Sequence, residues 1–549
     1  MSNRHFRTLA AYAPLVAVAV AGLLSGCADS RAASAGSASH AGGTIVISAS
    51  AEPDVLFPPL VLSVQGKQIV DQVFDNLADI GPSLNTVGDT GFRPRLAKAW
   101  RWAPDSSWID FALDPRARWH DGKPVTSDDV RFTFTLVKDT TLGSPLSSNL
   151  DDVDSVSLPN HETARVWLKN HPPDVFFKIA SPIAILPAHI LRGIAPSAMV
   201  SSPFARHPVG SGRFRFASWQ EGVNVSLMAD SANYRGRPAT DKAVWVVSQD
   251  YNGAALRFVT GSADFLDVVR PEYVDRASNG GRRIDASTPS LNYGYVAFNL
   301  RDQSGKRPHP MLSDRSVRRA LVMAVDRRAM VRNVFDSLGL VAHGPVTRAV
   351  ATSDTTIGLP YDTAEAARLL DAAGWRRDAA GIRRKGGKPL KFSLIVPSSS
   401  ANRMKFAVLL QNQWRQIGAD VAVDQMELAT FGDRLEQRKF DAMINAWQID
   451  PDPASVRDEW TSAEMRKGGS NFVSYSNPVF DATVDSAARE SNPSRAIALY
   501  RRAYRQLTED APALWLYELR SVFGMSQRLQ PVGVRADAWW ADLADWRVR

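Results

Sequence analysis

Residues 391–447 read KFSLIVPSSSANRMKFAVLLQNQWRQIGADVAVDQMELATFGDRLEQRKFDAMINAW. The apolar run from Lys391 to Val396 has the length and β-branched content of a strand. The spacing predicts a helix over about 402–417, ended by Gly418. A second strand (Val421–Gln425), a short helix (about 430–438) and a third strand (Phe440–Trp447) follow. Parallel neighbours need a crossover between them, and a helix is the usual one. This strand–helix alternation therefore predicts an α/β domain with a largely parallel sheet.

The pattern extends upstream to about residue 290. Asn292–Leu300 reads as a strand. Ser313 or Asp314 caps a helix that carries Val317, Leu321 and Ala324 on one face, and Asp326 starts a second helix. Asp362 and Glu365 have capping-box spacing, and Gly374 stands at the stop. Between them Ala366, Leu369, Leu370 and Ala373 form an i, i+3, i+4, i+7 stripe. Before 290 the chain is richer in strands. Ala99–Trp102 and Trp108–Leu113 flank Pro104-Asp105-Ser106, a hairpin signal. Thr126 caps a helix with Asp128 and Asp129 in its first turn, where the helix dipole favours them. A second hairpin joins Arg213–Trp219 to Val223–Leu227 through Glu221-Gly222. Two dissimilar segments predict two lobes, and the cleft between lobes is the default place for a ligand.

The N-terminus is basic (Arg4, Arg7), then apolar from Leu9 to Leu24, and ends in Leu23-Leu-Ser-Gly-Cys27. This is the layout of a secretory signal, and it is shorter than the ~20 residues of a membrane-spanning helix. Cys27 is the only cysteine in 549 residues, so no disulfide is expected. Residues 28–43 are Ala, Ser and Gly with little to bury, and read as a tether. Hydrophobic residues make up 44% and charged residues 22%, as in a packed globular chain. The net charge of +8 is spread without a long basic block, which argues against nucleic-acid binding. Fifteen tryptophans supply core, and some can line a pocket.

Catalytic patterns are weak. Pro208-Val209-Gly210-Ser211-Gly212-Arg213 lacks the spacing of a nucleophile elbow and the third glycine of a dinucleotide loop, and reads as a turn. His161-Glu162 is followed by Thr163-Ala164-Arg165, not by a second zinc-binding histidine. The nine histidines are scattered. No catalytic residue, metal or cofactor is expected.

Five blocks in order carry a family resemblance. Arg118-Trp-His-Asp-Gly-Lys-Pro-Val-Thr-Ser-Asp-Asp-Val-Arg-Phe132 is the most recognisable. Pro208-Val-Gly-Ser-Gly-Arg-Phe-Arg-Phe216 with Trp219, and then Asn233-Tyr-Arg-Gly236, follow it. Tyr295-Val-Ala-Phe-Asn299 with Val317-Arg-Arg-Ala-Leu-Val-Met-Ala-Val-Asp-Arg327, and Ser474-Tyr-Ser-Asn-Pro-Val-Phe-Asp481, complete the set. Together they resemble the family 5 extracellular solute-binding proteins of ABC transporters, the oligopeptide- and dipeptide-binding proteins, from about 44 to 549. The start resembles a bacterial lipobox, with Cys27 as the lipidated first residue.

The resemblance implies a two-lobed α/β periplasmic-binding-protein clamshell of type II, with an extra subdomain inserted in lobe I. The expected division is signal peptide 1–26, tether 27–43, lobe I 44–89, inserted subdomain 90–205, lobe I again 206–292, lobe II 293–510, and a return to lobe I over 511–549. It implies a monomeric binding lipoprotein, lipid-anchored to the cell membrane and facing the periplasm or exterior. Lobe closure would capture a peptide and deliver it to ABC permease subunits. Another solute (a sugar, an opine or a metal chelate) is the alternative within the fold. An exported hydrolase and a lipid-tethered sensor or adhesin are the alternatives outside it.

For the site, the resemblance points to Trp447-Gln448-Ile449-Asp450-Pro451-Asp452-Pro453, directly after a strand. Trp447 and Asp450 match a motif whose aspartate takes the ligand α-ammonium. Trp447 either stacks on the ligand or belongs to the core. Asp452 is a second candidate, or the N-cap of a helix over 454–460 with proline at its first position. Arg403 meets a ligand carboxylate or is simply solvated. His120-Asp121-Gly122 and Asn299 are expected to be structural.

Overall fold

The computed structural model describes residues 42–549; the expected signal peptide, Cys27 and most of the tether lie outside the described residues. Thr44–Ala49 opens the fold as a strand whose Ile45 and Ile47 are fully buried. It pairs in parallel with Lys242–Val247 and with Phe265–Leu266. These belong to a seven-stranded sheet ordered Arg283–Asp285, Phe523–Met525, Phe265–Leu266, Thr44–Ala49, Lys242–Val247, Asn224–Ala229, Phe214–Gln220. The hairpin at its far edge turns at Gly222, whose amide donates to the Glu52 carboxylate at 2.9 Å. Trp219 Nε1 donates to the same carboxylate at 2.8 Å.

A four-stranded antiparallel sheet (Ala97–Trp102, Trp108–Leu113, Thr163–Leu168, Val153–Asn160) lies between the first strand and the rest of this lobe in sequence. The helix Ser127–Lys138 packs on it, and Thr126 N donates to Asp129 Oδ2 at 2.8 Å to close its first turn. The His120 loop fastens this sheet to the seven-stranded one. Gly210 N donates to His120 Nδ1 (3.2 Å), and His120 Nε2 bonds Gly212 O (2.9 Å). A Cβ on Gly210 would stand 1.8 Å from Val73 O, so only glycine permits this approach.

The second lobe is built on a six-stranded sheet ordered Gly339–Val341, Ala513–Arg520, Pro289–Phe298, Ala442–Gln448, Lys391–Pro397, Asp420–Met426. The last three strands are the strand–helix alternation read in the sequence, and they are parallel. The other three pairings are antiparallel, so the sheet is mixed and the expectation of a largely parallel one is corrected. The reason is topological. Pro289–Phe298 enters from the first lobe and runs away from it, whereas the parallel strands point back toward it.

One face of this sheet is covered by the helices Arg315–Met323, Thr363–Ala372 and Ala401–Gln416, with Trp414 fully buried and its Nε1 donating to Leu321 O at 2.8 Å. On the other face, Tyr293, Tyr295 and Trp515 pack with Trp460 of the short helix Ser455–Trp460. Asn299 is buried at the end of its strand, where its Nδ2 bridges Arg438 O (2.9 Å) and Phe440 O (3.0 Å).

Two strands cross between the lobes side by side. Arg283 to Asp285 pair with Met525 to Phe523, Ser521 N donates to Thr288 O (2.9 Å), and Pro289 stands opposite Arg520. The chain therefore stays in the second lobe through Arg520. The expected join at 510/511 falls one strand early, because Ala513–Arg520 completes the six-stranded sheet before Phe523 enters the other. Among the described residues no helix is long and apolar enough to cross a membrane.

Candidate functional site

The antiparallel register fixes which end of the six-stranded sheet faces the first lobe. Asn292 stands opposite Gln448, close to the crossing strands, and Phe298 stands opposite Ala442. The carboxyl ends of the parallel strands therefore point at the hinge, which is where ligands sit in open α/β sheets. Trp447 ends one of these strands, Asp450 and Asp452 follow it, and Arg403 follows its neighbour.

Ile449 N donates to Leu291 O (3.0 Å), extending the ladder one residue past the strand. Asp450 comes next and is exposed; among the described residues its carboxylate has no hydrogen-bond or ion-pair partner. A carboxylate in this position is available to a cation.

Asp452 is committed differently. Its Oδ1 accepts from Ala454 N at 2.9 Å, turning the chain into the helix Ser455–Trp460. The expected N-cap is displaced: Ala454 holds that position, and Asp452 acts two residues earlier. Its carboxyl also lies against that of Asp174, which comes from the stretch of the first lobe between Thr44–Ala49 and Phe214–Gln220. Lys178 Nζ lies 2.7 Å from Asp174 Oδ2. Burial, with the Asp174 charge second, holds the Asp452 carboxyl well above the ordinary carboxylate range. Thr86 Oγ1 donates to Pro451 O at 3.2 Å beside this cluster. The two lobes thus touch at Thr86 and Asp174 on one side and at Pro451 and Asp452 on the other.

Arg403 sits in the first turn of Ala401–Gln416, whose Ser400 cap accepts from Arg403 N at 3.4 Å. Its side chain is half-buried, and its guanidinium lies against the Tyr517 hydroxyl. The Tyr517 ring crosses the sheet over Gly294, where a Cβ would stand 2.1 Å from Tyr517 Cζ. Arg403 is therefore positioned by an aromatic ring rather than left in solvent.

Trp447 is half-buried and points to the same face as Tyr293, its cross-strand partner. Above them lies Glu459, which the sequence reading did not single out. Glu459 is buried and accepts from Tyr293 Oη (3.1 Å) and Trp460 Nε1 (3.2 Å), and Trp447 lines the same recess. Burial lifts its pKa to about 8 against these donors. The available signal was its spacing: Glu459 is three residues from the buried Val456 and adjacent to the buried Trp460, within an apolar stripe. Among the described residues no three His, Cys, Asp or Glu side chains converge as a metal-binding group.

Comparison with known proteins places this geometry. The model of "Bacterial extracellular solute-binding proteins, family 5 Middle" matches residues 91–466. The oligopeptide-binding protein AppA of Bacillus subtilis is 26% identical over 527 residues, covering 94% of each chain. The structure of AppA with a nonapeptide has a TM-score of 0.67 at 25% identity, covering 93% of this chain and 99% of that one. The substrate-binding protein CtaP of Listeria monocytogenes shares the fold with a TM-score of 0.78 at 22% identity, over 92% and 99% of the two chains. NikZ of Campylobacter jejuni, solved with Ni(L-His), does so at 0.70 and 23%, over 92% and 99%. With two sheets joined by paired crossing strands and a family match over most of its length, the chain belongs to the family 5 extracellular solute-binding proteins.

Proposed function

We propose that this protein is the ligand-capturing component of an ABC importer, that its ligand is a peptide with a free α-ammonium, and that Asp450 receives that ammonium. The observation that carries this reading is the placement of an unpaired carboxylate at the hinge-facing end of the sheet, next to the contact between lobes at Pro451 and Asp452. The peptide class is supported by AppA, which is named an oligopeptide-binding protein and was solved with a nonapeptide.

Contacts to both lobes are complete only when the lobes shut, so the ligand favours the closed form by its differential affinity for it. An ammonium on Asp450 forms a charge-assisted hydrogen bond that strengthens as closure removes water. Trp447 offers a flat apolar wall beside it. Arg403, in the first turn of a helix, supports negative charge at the far end of the same sheet edge. Backbone hydrogen bonds to the peptide main chain supply affinity without reading side chains. The closed form then docks on permease subunits and releases the ligand unchanged. Export and lipid attachment at Cys27 hold the protein, as a monomer, at the membrane face where the permease opens.

Native mass spectrometry of the purified protein tests the ligand class, and a co-purified peptide is expected. A sugar, opine or metal-chelate mass would replace the peptide reading and leave the hinge untouched. Thermal-shift titration with free-amine and N-acetylated forms of one peptide tests the site. The free amine should stabilise wild type more strongly than the acetylated form, and Asp450→Ala should not distinguish them. Equal stabilisation of wild type by both forms rejects Asp450 as the ammonium site.

A further inference from the structure

A carboxyl group taken out of water costs several kcal/mol unless cations or hydrogen bonds replace its hydration. Glu459 has only the neutral donors Tyr293 and Trp460, and among the described residues no arginine or lysine forms an ion pair with it. Two donors aimed at one carboxyl, with no acceptor beside them, suit its anionic form, for a neutral acid would need an acceptor for its own O–H. The site is therefore arranged for an anion and lacks the cation that would settle the charge.

The missing cation has a place to go. A recess beside Glu459 has about 10 Å³ of space for the centre of a water-sized group, enough for one ammonium. Its walls include Tyr295, Trp447, Trp460 and Phe472, and its half-buried rim includes Ser470. Aromatic faces attract cations, and more strongly where water is excluded. Trp447 links this recess to the candidate site, since it lies three residues before Asp450 on the hinge-facing end of the same strand.

We infer that Glu459 and its aromatic surround form a second cation-accepting subsite, which takes the ammonium head of a lysine-like side chain of the ligand while Asp450 holds the ligand's amino terminus. This rests on the peptide reading above. The charged or titratable groups facing Glu459 are Tyr293 and Tyr295 from the strand, Asp458 from its own helix, and Tyr504 from the helix Pro493–Asp510. None of these is a cation. Because burial holds Glu459 protonated at neutral pH, an arriving ammonium displaces a proton to solvent.

Isothermal titration of wild type with tetrapeptides carrying lysine or norleucine at each position in turn tests this. At one position lysine should bind about tenfold tighter than norleucine, a difference of about 1.4 kcal/mol. At that position, pH 7 titrations in buffers of different ionisation enthalpy should show proton release with lysine and none with norleucine. In Glu459→Gln, confirmed by cooperative unfolding, the lysine-to-norleucine ratio should fall to about one and proton release should vanish. The ratio is internal to the variant, so a general loss of affinity does not imitate it. Equal affinities at every position in wild type, or a ratio retained in Glu459→Gln, overturns the subsite. If no tetrapeptide binds, the peptide reading fails, and n-butylammonium against n-butanol decides the subsite alone. Quenching of indole fluorescence by the ammonium in wild type but not in Glu459→Gln supports it, and no difference between ammonium and alcohol overturns it.

Discussion

Asp450 and Glu459 are nine residues apart and have opposite surroundings. Asp450 is exposed and unpaired, so its removal costs the free protein little: Asp450→Ala should unfold within ±0.5 kcal/mol of wild type. Its cost is expected in binding. Leaving a ligand ammonium without its partner in a closed cleft should weaken a free-amine peptide by about 2–5 kcal/mol, mainly through faster dissociation, read by calorimetry and stopped flow. Glu459 has the reverse profile, buried and with its carboxyl already held by two side chains. The placement of Asp450 was legible because it follows a strand that announces itself in the local sequence. Glu459 was not, because the depth of a six-residue helix depends on the sheet beneath it, and Tyr293 is far away in sequence.

At the level of elements, the termini of the second lobe's helices depend on side chains from elsewhere. Arg318, in the helix Arg315–Met323, is buried and donates to Asp510 O (2.7 Å), Ala511 O (3.1 Å), Leu312 O (2.8 Å) and Ser313 O (3.0 Å). Two of these carbonyls lie at the end of Pro493–Asp510, which stops at Ala511 with φ of +50°. Replacing the guanidinium by an apolar chain leaves buried acceptors unpaired at about 1–3 kcal/mol each. Arg318→Met should therefore destabilise the protein by about 3 kcal/mol or more in urea melts, with free-amine peptide specificity kept in the fraction that folds. The helices themselves were readable. Asp314, Asp326 and Asp362 all cap, and Gly418 takes φ of +88°, because caps and stops are local chemistry. Strand direction was not readable: Pro289–Phe298 pairs with Ala442–Gln448, about one hundred and fifty residues on, and nothing local records that it runs antiparallel.

Across the whole molecule, the contact between lobes is acidic on both sides. The Asp452 carboxyl is raised from 3.8 to about 7 by burial and by Asp174. A carboxyl raised in the contacting form favours that form fully below its ordinary pKa, and the benefit is lost as pH climbs through the raised value. Lys178, close to Asp174, stays charged throughout this window, since its own pKa is raised from 10.5. Tyr500 faces both carboxyls and stays neutral. The unliganded protein should therefore hold its lobes together from about pH 4 and part as the pH rises toward 7 and beyond. Small-angle scattering across that range should show an increasing radius of gyration in wild type and a flat one in Asp452→Asn. A flat wild-type profile would count against the contact as a proton-linked clasp. This pairing left no trace in the sequence, because its two halves come from different lobes.

The chain's path through the first sheet sets an order of assembly. Phe523–Met525 lies inside that sheet, between Phe265–Leu266 and Arg283–Asp285, so the N-terminal lobe keeps an open slot until nearly the last residues arrive. The second lobe is a continuous loop from Pro289 to Arg520, with its ends side by side. A chain synthesised from its N-terminus thus finishes its later half first, while its earlier half waits with unpaired strand edges that are prone to aggregate. Truncation after Arg520 should leave a protease-resistant core near residues 289–520 and a degraded remainder. Resistance of the 44–285 portion would contradict that sequence of events.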